Sequence, residues 1–304
     1  MADPNFEEIR CALCGADRTQ VVFHRPYQVA AICDNAVYTA STDEFQDYGR
    51  IVRCLDCGLI YTNPRPLPGS LLKGYADCVD ENYLAESSSR SINAHLSLNT
   101  LKRFIKSGKL LEVGASTGYF LNAARTDFDV VGLEPSEWAG RIARERFKLD
   151  VYPESFLTTQ RFAPCSLDCV AMIDVIEHLP DPARAMARAA ELLRPGGILY
   201  LVTPDVSSLS ARILGSYWWG LRPAHIYFFD GRTLGKMLDK AGFEVLQVES
   251  FGRIFSWGYW AGKMRHYPAW IYQPLLWMIR SLGIEEKVLY INTRDSMEVL
   301  ARKR

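Results

Sequence analysis

Residues 110–121 read LLEVGASTGYFL: an apolar run broken only by Glu112, then Gly114 and Gly118 around small polar residues, then apolar residues again. A short unpunctuated apolar run, a glycine loop and a renewed apolar run form the pattern of a buried strand that turns directly into a helix. The pattern recurs along the chain. KLLEVG, DVVGLEP, LDVYP, DCVAMID, ILYLVTP and FEVLQVES are each short, as strands buried on both faces should be. Helical segments fill the gaps. One runs from Asp181, a good N-cap followed by Pro182, to Gly196-Gly197, with Ala185, Met186, Ala189, Leu192 and Leu193 in one stripe. Another opens at Asp230 and closes at Gly242, with Leu234, Met237, Leu238 and Ala241 facing inward. Residues 91–106 present a helical face through Ile92, Leu96, Leu101 and Phe104 or Ile105. Such alternation specifies an α/β fold with a doubly wound, mostly parallel sheet and helices on both faces.

In a sheet of this kind ligands collect beyond the carboxyl ends of the strands, and the loop after the first strand is the usual cradle. GASTG, 114–118, stands in that place. Its two glycines let backbone approach a ligand closely, and the following helix offers free N–H groups with a partial positive charge. The second strand ends at Glu134, about the distance downstream at which an acid meets a ribose hydroxyl, so the ligand carries a ribose. A nicotinamide dinucleotide needs Gly-x-Gly-x-x-Gly, but Ser116 and Tyr119 occupy the second and third glycine positions. Tyr119 would also obstruct the close packing of strand and helix at a pyrophosphate. A ribose-bearing cofactor without a pyrophosphate suits these residues better than an oxidoreductase's cofactor does.

Four features follow one another: Glu112-x-Gly114-x-x-x-Gly118, the acid in GLEPS (132–136), CVAMIDVIEHLPDP (169–182) and LRPGGILYLVTPD (193–205). Together, over roughly residues 90–250, they resemble the class I S-adenosylmethionine-dependent methyltransferases. The resemblance implies an enzyme with a Rossmann-like methyltransferase sheet, S-adenosyl-L-methionine as cofactor, and a closing antiparallel strand at DSMEVLARK, 295–303. Within it, Glu112 and Gly114 would line the amino-acid end of the cofactor, in a loop that continues through Ala115, Ser116 and Gly118. Glu134, with Pro135 beside it, would hold the ribose hydroxyls. Glu154, Ser155 and Phe156 would flank the adenine, and Asp174 would border the methyl donor. Ser116 departs from the family, which more often has glycine there.

A sulfonium methyl is already activated, so the enzyme aligns the acceptor and removes a proton when the nucleophile is a hydroxyl. Histidine suits that task near neutrality. Two are placed for catalysis: His178, just past the fourth strand, and His225 in RPAHIYFF, after the fifth. His225 is preferred, because acceptor loops in this family commonly follow the fifth strand. The segment Asp174-Val-Ile-Glu177-His178 also resembles the stretch of ubiquinone-type O-methyltransferases whose acids and histidine hold a divalent ion, and such an ion could lower a hydroxyl's pKa. The Asn- or Asp-Pro-Pro-aromatic motif that accompanies methylation of a nucleobase amino group is absent after the fourth strand.

Four of the eight cysteines form two like pairs, Cys11-Ala-Leu-Cys14-Gly15 and Cys54-Leu-Asp-Cys57-Gly58. Two intervening residues let one tight turn aim both sulfurs at a single ion, and four thiolates close a tetrahedron, as in structural zinc. His24, Cys33 and Cys78 lie near but lack paired spacing. The chain therefore divides into a zinc-ribbon-like module at 1–68, a polar linker at 69–90, and the cofactor-binding domain at 91–304 with an aromatic-rich insertion at 252–287. The module is similar to that of zinc-containing methyltransferases of sugar and secondary-metabolite pathways, including deoxysugar C-methyltransferases, where a Tyr-His-Glu-His stretch works at a sugar. Here His225, Tyr227 and Phe228 follow Arg222, Pro223 and Ala224. That departure favours O-methylation of a small-molecule, sugar or glycan-precursor hydroxyl over carbon methylation. A non-catalytic binding scaffold is the alternative from outside enzymology.

Lys plus Arg and Asp plus Glu are equal at 35 each, which gives no global field to gather a polyanion. Nucleic acid, including an rRNA base, is not an expected partner. The stretch MADPNFEEIR lacks the basic and then apolar character of a signal peptide, so a cytoplasmic protein is expected. YPAWIYQPLLWMI, 267–279, is too short and too broken by Pro268, Gln273 and Pro274 to span a bilayer. Around it, Trp257, Tyr259, Trp260, Trp270, Tyr272 and Trp277 interleave with Lys263, Arg265 and Arg280. The stretch is read as a lid over the acceptor, a peripheral membrane contact through 255–280, or a helical pair that completes the core or forms a homodimer seam.

Overall fold

Seven strands form the main sheet: β1 (Gly108–Val113), β2 (Phe128–Leu133), β3 (Val151–Tyr152), β4 (Leu167–Ile173), β5 (Leu193–Pro204), β6 (Phe243–Ser250) and β7 (Ser296–Lys303). They lie in the order β6-β7-β5-β4-β1-β2-β3. All neighbours from β5 to β3 pair in parallel, whereas β7 runs antiparallel between β5 and β6. The order reverses between β1 and β4, so the loops that leave their carboxyl ends diverge and open a crevice. This computed structural model describes residues 5–25, 35–39, 41, 48–264 and 268–304; Cys33, Arg265 and Tyr267 lie outside the described residues.

The described helices are α1 (Pro68–Ala76), α2 (Glu81–Ala85), α3 (Ser87–Leu101), α4 (Tyr119–Ala124), α5 (Glu137–Phe147), α6 (Pro182–Leu192), α7 (Leu209–Leu214), α8 (Gly231–Lys240), α9 (Trp257–Lys263) and α10 (Ala269–Ser281). Successive strand residues point to opposite faces, so the sheet feeds two cores. Leu111, Val113, Val170, Met172, Leu199 and Leu201 join the buried faces of α6 and α8. Leu110, Cys169, Ala171, Tyr200 and Val202 join those of α3 and α4.

Local signals explain most boundaries. The Asp181 carboxylate accepts from the Arg184 amide at 2.9 Å, and Asp230 and Thr233 close a reciprocal capping box on α8. Gly242 follows α8 with φ +89°, the left-handed position expected of it.

Four expectations are corrected. α6 stops at Leu192, because Leu193 already pairs with Leu167 and the glycine pair lies in a bulge of β5 rather than at a helix end. α3 begins at Ser87 and buries Ser89, Asn93, Ala94, Ser97, Leu98 and Leu101, a face of small residues that admits close approach, while Ile92 is exposed. The stretch read as a polar linker carries α1, α2 and the start of α3, with Asp80 capping α2. FEVLQVES is an edge strand, mostly exposed, not one buried on both faces.

Three smaller sheets lie among the described residues, and in the first Phe6–Glu7 pairs antiparallel with Arg65–Pro66. Thr19–His24, Arg50–Cys54, Ile60–Thr62 and Tyr227–Phe228 form an antiparallel sheet whose last strand comes from beyond β5. In the insertion, Arg253–Ser256 pairs antiparallel with Val288–Ile291, and α9 and α10 fill the span between them. The Asn93 side chain grips this ribbon by donating to the Ile254 carbonyl and accepting from its amide, both at 2.8 Å. Among the described residues no helix is long and apolar enough to cross a membrane.

Leu201 is fully buried in the middle of the sheet. Leu201→Ala should destabilise the fold by about 2–5 kcal/mol, read as a lowered urea midpoint, because the surrounding strands cannot collapse into the void.

Candidate active site

The loop after β1 is held open by its own backbone. Gly114, Ser116 and Gly118 all have positive φ, at +71°, +48° and +85°. A Cβ on Gly114 would lie 2.5 Å from Cγ2 of Val175, and one on Gly118 would lie 2.7 Å from Leu149 and 2.9 Å from Ala143. Both positions therefore require glycine on two counts.

Glu134 follows β2 and joins this loop to the next. Its carboxylate accepts from the Ser116 amide at 2.7 Å and from the Ser136 amide at 2.8 Å. Burial pushes its pKa up, and the two amides oppose that shift. Each carboxylate oxygen keeps a lone pair for a further donor. Glu112, also buried, leaves Oε2 without a partner, and burial with the nearby Glu134 raises its pKa well above the usual range. An orphaned acceptor of this kind calls for a donor from a ligand. The carboxylate of Glu154, by contrast, is already engaged by Arg161 and Thr159.

Asp174, at the end of β4, has φ +54°, and both its oxygens accept from Nη2 of Arg253, at 2.6 and 2.8 Å. The insertion thus reaches the carboxyl edge of the sheet. Past Asp174, Glu177 is buried; its Oε2 accepts from Thr203 at 2.9 Å and its Oε1 has no partner. Burial, reinforced by Asp174, pushes its pKa up to about 8.

The two histidines meet edge to face, with ring centroids 4.7 Å apart. Nδ1 of His225 lies 2.8 Å from the Gly220 carbonyl, and Nδ1 of His178 lies 2.8 Å from the Ala224 carbonyl and 2.6 Å from the Tyr75 hydroxyl. A carbonyl only accepts, so each Nδ1 carries the proton and each Nε2 is left as a base. Burial is the main cause that lowers both pKa values, that of His178 to about 4 and that of His225 well below the ordinary range, with Arg222 adding to both. Both rings are neutral at physiological pH. One ligand atom each from Glu177, His178 and His225 lies within 4.8 Å of the others; Asp174, held by Arg253, is not in that cluster.

A single cavity of about 1150 Å³ joins these parts. Glu112, Gly114, Ala115, Ser116, Glu134, Pro135, Glu154, Ser155, Phe156, Asp174, His178 and His225 all line it. Gly118 does not line it and instead starts α4. Tyr75, Arg222, Arg253, Trp257 and Tyr259 also line the cavity. No motif marks them, because they converge from segments remote in sequence.

Away from the cavity the four paired cysteines do assemble. Sγ of Cys11 lies 3.4 Å from that of Cys57, Cys14 lies 3.5 Å from Cys54, and all four fall within 4.8 Å of one another. Zn–S bonds of about 2.3 Å in a tetrahedron place sulfurs about 3.8 Å apart. The described cysteines form no disulfide.

Residues 86–248, more than half of the chain, match the family profile described as a methyltransferase domain. The chain belongs to the class I S-adenosylmethionine-dependent methyltransferases. This methyltransferase is 31% identical over 157 residues to a ubiquinone biosynthesis O-methyltransferase of Thiobacillus denitrificans, covering 46% of this chain and 66% of that one. It is 30% identical over 140 residues to a probable S-adenosylmethionine-dependent methyltransferase of Mycolicibacterium smegmatis, covering 45% and 52%. The match thus spans less than two thirds of either relative. In three dimensions it resembles a SAM-dependent methyltransferase from Archaeoglobus fulgidus with a TM-score of 0.52 and 17% identity, over 74% of this chain and all of that one.

Glu134→Ala removes the link between the two loops of the methyltransferase crevice. Calorimetry should show S-adenosylhomocysteine binding weakened about 10–100-fold, with the far-UV circular dichroism spectrum retained.

Proposed function

We propose that this methyltransferase methylates a hydroxyl of a small-molecule or sugar-type acceptor, with His225 as general base. Glu112 and the Gly114–Ser116 loop would hold the amino-acid end of S-adenosylmethionine, Glu134 the ribose, and Ser155 and Phe156 the adenine side. The cofactor supplies an electrophilic methyl on a sulfonium. The acceptor oxygen attacks that carbon as the carbon–sulfur bond breaks, its proton passes to Nε2 of His225, and S-adenosylhomocysteine leaves as a neutral thioether. The bond from Nδ1 of His225 to the Gly220 carbonyl supports this role, because it fixes the tautomer that leaves Nε2 able to accept. The observation that carries the reading is the common cavity, which runs from the glycine loop to His225.

The test is turnover with a methyl-labelled cofactor against a panel of phenols, hydroxy acids and sugars. For an accepted substrate, His225→Ala should lower kcat about 10²–10⁴-fold while S-adenosylhomocysteine affinity stays unchanged. Undiminished turnover in that variant would remove the base assignment.

A metal-assisted reading has its own support in the convergence of Glu177, His178 and His225 and in the unpartnered Oε1 of Glu177. Those three would hold a divalent cation that lowers the acceptor hydroxyl's pKa. Dialysis against a chelator separates the readings: metal assistance requires that activity be lost and then restored by magnesium or manganese, whereas the base reading requires that it persist.

We also assign structural zinc to Cys11, Cys14, Cys54 and Cys57. Elemental analysis should find about one zinc per chain, and Cys54→Ser should lose it and lower the Tm.

A further inference from the structure

Among the described residues Arg222 forms no ion pair. It lines the cavity three residues before His225, and the His225 amide donates back to its carbonyl at 3.0 Å. Its Nη2 donates to the Thr39 carbonyl at 2.8 Å, while its Nε is buried without a partner. Nη1 makes no hydrogen bond among the described residues and is not sealed inside the protein, so the cavity is where it meets its surroundings.

The carboxylates near enough to act on Arg222 are committed elsewhere. Asp174 takes both its bonds from Arg253. Asp80 caps α2 and accepts from the amide and hydroxyl of Ser41. Tyr75 is a neutral phenol, because burial holds its pKa well above the ordinary value. A half-buried guanidinium whose Nε is sealed without a partner and which is given only one carbonyl is costly to fold around unless a ligand completes it. Arg90, Arg253 and Lys263 also line the cavity.

We infer that the methyl acceptor carries an oxyanion group, a carboxylate or a phosphate, which seats on Arg222 and so presents the neighbouring hydroxyl to His225. The inference rests on the methyltransferase reading and narrows its substrate to hydroxy acids or phosphorylated sugars. A planar fork with an open Nη1 and its charge unmatched suits either anion.

The test uses full-length protein saturated with S-adenosylhomocysteine and two matched pairs of probes, 4-hydroxybenzoate against 4-hydroxybenzamide and glucose 1-phosphate against glucose. Calorimetry should show at least one anion binding tenfold or more tightly than its neutral partner. Arg222→Gln should erase that preference, Arg222→Lys should restore part of it, and the pair that responds tells carboxylate from phosphate. The wild-type comparison stands even if a variant fails to fold. No anion preference while S-adenosylhomocysteine is bound, or a preference that survives in Arg222→Gln, would overturn this inference alone. Failure of the wild-type protein to bind S-adenosylhomocysteine would overturn the methyltransferase reading and this inference with it.

Discussion

Tyr227 and Phe228 pair with Tyr61 and Ile60, and Ile226 between them and His225 accepts from the Thr62 amide and donates to the Glu177 carbonyl, each at 3.0 Å. Three residues beyond β5 are thereby stitched on one side to the N-terminal sheet and on the other to the turn that leaves β4. Buried backbone groups must be paired, so this segment has little freedom to shift. The rest of the site depends on that constraint. It sets the His225 ring against His178, and it brings Glu177 beneath both.

The N-terminal sheet is therefore more than an appendage. Cys11, Cys54, Leu59 and Tyr61 belong to the same apolar core as Leu199, Leu201 and Ile226. Whatever holds the four cysteines together acts, through the Ile60–Thr62 strand, on the segment that carries the proposed base. Arg65 strengthens the junction by reaching both the Tyr227 hydroxyl and the Pro180 carbonyl.

Charge is distributed unevenly along the cavity. Buried Glu112 and Glu134 line it from β1 and the residue after β2, and Arg222 and Arg253 from the later loops and the insertion, with Arg253 paired to Asp174. A cofactor with a cationic amino group and a hydroxyl-bearing sugar suits the first, and an anionic acceptor suits the second. The left-handed residues Ser116 and Asp174 stand in the two loops that leave β1 and β4. Non-glycine residues at positive φ persist only where their surroundings hold them, here a carboxylate on the Ser116 amide and an arginine on Asp174.

The sheet, the glycine loop, Glu134 and the paired cysteines were legible in the residues, because each is a local pattern: apolar runs with a strand's length, glycines where φ must be positive, thiols spaced for one turn. The C-terminal end of α6 and the buried face of α3 were not, since pairing of Leu193 with Leu167 and the gripping of Ile254 by Asn93 overrode local propensity. Sequence by itself thus determined the fold class, the glycine loop after the first strand and the pairing of the cysteines. Only the tertiary structure decided that Glu177, not Asp174, clusters with His225, that Arg253 occupies Asp174, and that Arg222 forms no ion pair among the described residues. Those are contacts between segments tens to more than a hundred residues apart, and no spacing along the chain encodes a distance that folding alone brings within hydrogen-bond reach.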